Sequence, residues 1–421
     1  MERRIWRVCL GLLSTAAGLL AQSANPQHAL SWQETQARFK ANNPALLAGQ
    51  VTIDESRADE VTAYLRPNPD LSFGWDQLTP FHTDPLRPVW QSYAYGNIDY
   101  LHERQHKREL RLQSAQGATA VAISSQQDLE RNLLFSLRDA FMRVILSRAL
   151  LDLAKANLEY YDKEIAINES RFKAGAIAHV DFQRVEIQRI QFQSDVQTAA
   201  VSLRTAKIDL LALLRDKTPV DQFDVNETFD FHEPTSTLED LRTLALATRP
   251  DLKAAQEAFQ KAKTDHQLAV ANGSADPTFG LNGSHQPAPL NTYFGVSMSI
   301  PLRIFDRNQG EKARTQLEIN RSEKLRDQAE ITALHDIDSA YAALQGTLSI
   351  LRPYKEKYLQ EADEIRSTVS FAYERGAASL LDFLDAQKQY RDTQLNYLNL
   401  VGAYFSAANQ VNYSVGREVI Q

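Results

Sequence analysis

Two stretches of this chain copy each other. Gly175-Ala176 is followed six residues after the glycine by Asp181-Phe182, and Gly376-Ala377 is followed at the same spacing by Asp382-Phe383. The copies lie 201 residues apart. Upstream, Asn43-Pro44-Ala45-Leu46 is echoed by Arg249-Pro250-Asp251-Leu252, and Phe73-Gly74 by Phe279-Gly280, at nearly the same offset. A period close to half of 421 residues means that a large unit is duplicated. Each unit reads helix, hairpin, long helix, glycine turn, long helix. The expected organisation is a leader at 1–23, a first repeat at 24–235 and a second at 236–421. Together the repeats make one body from two similar halves, not the two or three domains that length alone would give.

The leader is read from Arg3, Arg4 and Arg7, the apolar run 8–20, and the small residues Ala21, Ser23 and Ala24. That order describes a secretory signal peptide. The competing reading, a retained membrane anchor, needs about 20 apolar residues, and the run is shorter. The single cysteine, Cys9, lies inside it. A mature chain without cysteine has no disulfide, no thiolate chemistry and no lipid on cysteine. The formal charge of −7 speaks against nucleic acid as a partner.

Residues 30–64 read helical, with Pro44 opening a second segment and Pro67-Asn68-Pro69 stopping it. Strands are expected at about 70–81 and 89–101, joined by a proline-rich loop at 80–88. Leu71, Phe73 and Trp75 alternate with Ser72, Gly74 and Asp76. A long helix follows at about 103–173, apolar at every seventh position through Leu137, Val144, Leu151, Leu158, Ile165 and Phe172. The returning helix, about 179–214, shows two such rows: Val185, Phe192, Ala199, Ala206, Leu213, and Phe182, Arg189, Val196, Leu203, Leu210. In the second repeat, 238–271 reads helical, strands are expected at about 276–285 and 292–302, and long helices at about 311–373 and 380–413. The seam of the first of these runs Ile337, Tyr341, Leu344, Leu348, Leu351, Lys355, Tyr358, Ala362, Ile365, Val369, Ala372 in four-three steps. Such spacing means coiled-coil packing.

A helix of roughly 65–70 residues is about 100 Å long, so the body is elongated. Four strands of about ten residues match the length of membrane-spanning strands. Spanning strands must close a barrel, and the smallest known barrels use eight. Several chains would therefore share one barrel. The competing reading is a small soluble sandwich capping a coiled coil.

The turns Phe172-Lys173-Ala174-Gly175 and Tyr373-Glu374-Arg375-Gly376, and above all Leu380-Leu381-Asp382-Phe383-Leu384-Asp385-Ala386-Gln387, resemble the TolC-like outer-membrane efflux proteins. The resemblance implies a fold that is mainly α with a small β part. Long coiled-coil helices would form a periplasmic α-barrel, and four strands per chain would join a twelve-stranded outer-membrane β-barrel in a homotrimer. It further implies an exit duct working with a periplasmic adaptor and an inner-membrane pump, with outer-membrane lipid around the strands. The run Tyr100 to Arg111 resembles the strand-to-helix junction of the heavy-metal-exporting branch.

Asp382 and Asp385 share one helix face. As first-turn acids they stabilise the helix dipole, each by about 0.3–1 kcal/mol. The resemblance implies a second role: matching positions line the constriction that dilates, and three copies make rings of carboxylates that favour cations. Asp181 is the matching acid of the first repeat. In some family members it pairs with an arginine two residues after the second glycine, where this chain has Ala378; Arg375 is the nearby cation that could substitute. Gly175 and Gly376 are expected to end their helices in left-handed geometry. With Phe172, Ala176, Tyr373 and Ala377 they form the expected adaptor-contact tips.

His102 and His106 are spaced as one helical turn, compatible with a metal pair. No third ligand is evident, and surface histidines at a junction are the competing reading. Trp75, Trp90, Tyr93, Tyr95 and Tyr100 suit either a membrane interface or barrel packing. No phosphate loop, nucleophile elbow or zinc-protease motif is present, so neither an enzyme nor a cofactor is expected. Alternatives to the duct are a periplasmic coiled-coil adaptor or structural protein, and a type I secretion duct or surface receptor with the same fold.

Overall fold

The computed structural model describes residues 29–78, 92–227, 229, 233–286 and 291–420. The expected leader, the loop at 80–88 and Trp90 lie outside these residues. The chain opens with helices α1 (Trp32–Asn42) and α2 (Pro44–Tyr64), then strands β1 (Asp70–Asp76) and β2 (Tyr93–Leu101). Helix α3 (Lys107–Lys173) runs 67 residues, about 100 Å. Helix α4 (His179–Leu214) returns, followed by one 3-10 turn at Val220–Gln222. The plan then repeats through α5 (Leu238–Thr248), α6 (Pro250–Asn272), β3 (Thr278–His285) and β4 (Thr292–Ser299). Helix α7 (Gln309–Pro353) passes through a π-helical segment, Tyr354–Tyr358, into α8 (Leu359–Glu374), and α9 (Leu380–Val415) returns.

Several boundaries differ from expectation, each for a local reason. β1 stops at Asp76 because Gln77 takes a left-handed φ of 58°. α3 begins only at Lys107 because Gln105 and His106 are left-handed, at 59° and 54°. β4 ends at Ser299 because Pro301 has no N–H to give a ladder.

The four strands form one antiparallel sheet in the order β1-β2-β3-β4. Register puts Phe73 opposite Gly96, Gly96 opposite Gly283 and Gly283 opposite Phe294. One face therefore carries Leu71, Phe73, Trp75, Ile98, Tyr100, Phe279, Leu281, Phe294, Val296 and Met298. The other carries Asp99, Asn97, Asn282, Ser284, Ser297 and Ser299. Tyr93 and Tyr95 lie on this polar face, and Tyr95 covers Gly74, whose missing Cβ makes room for its ring. Trp75 and Tyr100 lie on the apolar face. That face is bare: Phe73 is 79% exposed, Phe294 80% and Val296 86%.

The core sits in the middle of the helical body. Leu137, Phe141 and Val144 of α3 meet Leu210 and Leu214 of α4, Leu241 of α5, Ile337, Leu344 and Leu348 of α7, and Tyr404 of α9. Arg249, which precedes α6, is buried there and pairs with Asp251 at 2.6 Å and Asp336 at 3.0 Å. Burial pushes the Asp251 carboxyl up, and the Arg249 hydrogen bond and charge more than reverse that. This contribution to stability is present above the ordinary aspartate range and is lost as pH falls. Below the core, α4 is apolar on two sides. Val185 and Phe192 are buried against Tyr161 of α3. Val180, Ile187, Val201 and Ile208 form a second row on an exposed face.

Candidate gate at the glycine-turn end

The two repeats end in matching turns. Gly175 has φ 73° and Gly376 φ 75°. The N–H of Ala176 bonds to the Arg171 carbonyl at 2.8 Å and that of Gly175 to Phe172 at 2.9 Å; Ala377 to Ala372 at 2.8 Å and Gly376 to Tyr373 at 3.0 Å repeat the pattern. These are Schellman caps, which want glycine in the left-handed position. A Cβ at either glycine would meet nothing within 4 Å, so the penalty for one is conformational, not steric. Gly376→Ala is expected to cost about 1 kcal/mol, read as a lowered thermal midpoint with unchanged oligomeric state.

Beyond Gly376, Ser379 caps α9. Its hydroxyl donates to Asp382 Oδ2 at 2.6 Å, its N–H donates to the same oxygen at 3.0 Å, and Asp382 N–H donates back to Ser379 Oγ at 3.2 Å. The Ser379 hydroxyl and then its backbone N–H hold the Asp382 carboxyl below the usual range. Asp385 accepts from Gln389 Nε2 at 2.7 Å. Both acids face solvent while Phe383, Ala386 and Gln387 of the same turns are buried. Asp382 thus does the helix-capping work and still presents charge outward.

The first repeat is built differently. Ala178 stands where Ser379 does and supplies no side-chain cap. Asp181 lies 3.9 Å from Arg184 on its own helix. Arg375 sits 4.7 Å over the Phe371 ring, and no ion pair joins it to Asp181 within the protomer among the described residues.

Phe172 stacks on Phe182 at 5.5 Å and is half-buried. Gly175, Ala176, Gly376 and Ala377 are exposed. Tyr373 is a correction: it is 5% exposed, stacked on Phe383 at 4.8 Å, and its hydroxyl donates to Asn168 Oδ1 at 2.9 Å. Its side chain belongs to the interior, not to a contact surface.

His102 and His106 also need correcting. α3 starts after both, so they are not one helical turn apart. The His102 ring edges onto Phe279 at 6.4 Å, and His106 occupies the left-handed position before α3 with 88% of its side chain exposed. Among the described residues no group of three His, Cys, Asp or Glu is placed to hold a metal ion.

Sequence reasoning missed the layer that joins the two long hairpins near the tip. The Tyr160 and Ser370 hydroxyls share a hydrogen bond of 3.3 Å, and Gln387 Nε2 donates to Ser370 Oγ at 3.1 Å. The seam expected on the last long pair is displaced by the π-helical segment after Pro353. Leu344, Leu348 and Leu351 are buried above it, but below it Ser370 and Tyr373 are buried and Ile365 is 48% exposed. The signal was Pro353 itself, which removes an N–H from the helix interior.

The chain is thus a duplicated unit with a four-stranded sheet at one end and twin capped turns at the other. It has the fold of the TolC-like outer-membrane efflux proteins, and residues 241–417 match the family model for outer membrane efflux proteins. The cobalt-zinc-cadmium resistance protein CzcC of Cupriavidus metallidurans is 23% identical over 396 residues, 89% of this chain and 87% of that one. The cation efflux system protein CusC of Escherichia coli O6:H1 is 20% identical over 412 residues, covering 94% and 80%. Among solved structures, CusC superposes with a TM-score of 0.77 at 16% identity over 95% of this chain and 96% of that one. VceC of Vibrio cholerae gives 0.71 at 17%, covering 92% and 96%.

Proposed function

We propose that this protein is the trimeric outer-membrane exit channel of a tripartite efflux system, passing cargo from an inner-membrane pump and periplasmic adaptor to the outside. The observation that carries the reading is that both walls of the protomer are unfinished. β1 and β4 are edges of a sheet whose outer face is bare and apolar. Exposed edges and faces of this kind are tolerated only when paired or lipid-covered. The exposed row Val180, Ile187, Val201, Ile208 on α4 asks for a second helix in the same way. Three copies, each giving four strands, close the wall. Each strand spans about 25 Å, the height of an outer-membrane apolar band. Among the described residues no helix is long and apolar enough to cross a membrane.

Asp382, Asp385 and Asp181 are the gate in this reading. Phe172, Gly175, Ala176, Gly376 and Ala377 are the adaptor contacts. A metal-cation cargo is supported by the two relatives named for cation resistance and efflux and by the acidic tip. Three copies in detergent and recovery with the outer membrane are the expected results; a monomer, or a freely soluble chain, overturns the reading. Loss of the gene is expected to raise sensitivity to cobalt, zinc or cadmium, and unchanged tolerance to all three removes the cargo assignment.

A further inference from the structure

The tip half of the fold holds a buried acid that neither the gate nor the coiled-coil seams use. Glu164 of α3 is 5% exposed, and its Oε2 has no hydrogen-bond partner. It lies where α3 meets the α8–α9 hairpin, in the layer of Tyr160, Asn168, Ser370, Tyr373 and Gln387. From α3 it faces the hydroxyls of Tyr160 and Tyr161; from α8 it faces Arg366, Glu374 and Tyr373. α9 contributes the neutral Gln387 to the layer. Arg366 is only partly turned to Glu164, and its buried Nε has no hydrogen-bond partner. Its guanidinium lies 4.4 Å from the Tyr160 ring centre and 3.6 Å from that of Tyr390, and it pairs with Asp363 at 2.7 Å.

A carboxylate in this position is desolvated without a full counter-ion, which costs far more than the neutral acid. Burial pushes the Glu164 carboxyl up, Tyr160 pulls it down, Glu374 raises it again and Arg366 opposes. The net direction is upward. The hairpin that covers Glu164 hangs from α7 through Pro353 and the π-helical segment, where the helical ladder is interrupted.

We propose that Glu164 holds a proton while the α8–α9 hairpin is packed on α3 as seen here, the closed state of this proposal, and that its ionisation loosens that packing, so that opening of the tip is proton-linked. The proposal rests on the channel reading. A carboxyl whose pKa is higher closed than open stabilises the closed state fully below the ordinary glutamate value. That stabilisation is lost as pH rises through the raised value. The Asp382 ring titrates in a separate, more acidic window, because Ser379 holds it low.

The test is a pH series of single-channel recordings on the full-length trimer, with Glu164→Gln, with Arg366→Gln, and with Glu164→Gln in an Asp382→Asn/Asp385→Asn background. In the wild type the open-to-closed ratio should rise with pH above the ordinary glutamate range, by up to about tenfold per unit for each Glu164. Glu164→Gln should abolish that rise and stay closed, with or without the gate acids. Arg366→Gln should move the midpoint to higher pH. The same rise in Glu164→Gln as in wild type overturns the proposal. A trimer that conducts in no variant overturns the channel reading instead. Infrared titration then still decides the proton: a protonated-carboxyl band persisting above the ordinary range and lost in Glu164→Gln supports the proposal, and its absence from the wild type overturns it.

Discussion

Asp382→Ala combined with Asp385→Ala is expected to raise single-channel conductance in planar bilayers and to bring cation-over-anion preference close to unity. The two carboxylates stand three residues apart at the start of α9, both facing solvent, so a threefold assembly arranges them as two stacked rings. Ser379 holds the Asp382 carboxyl below its usual range, so that ring stays charged at neutral pH. Its field draws cations in and repels anions. Removing both rings removes that field, and the shorter alanine side chains widen the constriction, which is what raises conductance. Asp382 has a second job as partner of Ser379 in the cap. Ser379→Ala separates the two: it should cost about 0.5–2 kcal/mol of stability through the lost cap while leaving selectivity in place. Selectivity unchanged in the double variant would remove these acids from the gate.

Phe294→Arg with Val296→Arg should prevent recovery of the protein in the outer membrane. Both side chains lie on the apolar face of β4, 80% and 86% exposed. An arginine on a lipid-facing strand position costs about 2–4 kcal/mol near the midplane, and every copy in the barrel carries both. Ser297→Arg, the next residue after Val296 but on the polar face, should be tolerated, changing conductance only. If the two variants assembled equally well, the sheet would not be facing lipid.

Much of this molecule is written in seven-residue spacing. The row through Leu137, Val144 and Leu151 is buried as the periodicity requires, and so are Val185 and Phe192 on the returning helix. Strand alternation was plain in β1 and β4, because a sheet with one apolar and one polar face leaves a period of two. What periodicity cannot report is a helix with two neighbours. The lower part of α3 packs on α4 and on the α8–α9 hairpin, so Tyr161, Glu164 and Asn168 are buried while Leu158 and Ile165 of the expected row are only half-buried. Polar residues inside such a joint look like surface in a linear sequence. The solvent-facing placement of Asp382 and Asp385 was legible because both stand in the first turns after a glycine stop. The histidine pair was not, because its backbone turns left-handed where the spacing assumed a helix.

The unpaired margins of β1 and β4 bear on how the protein reaches its destination. On the channel reading, a newly delivered chain has no way of entering lipid alone, since its outermost strands would carry bare amides and carbonyls into hydrocarbon. Meeting must come before insertion. The rate of arrival should then fall more steeply than in proportion as synthesis is turned down, and a cell making little of this protein would hold most of it as stranded intermediates awaiting company.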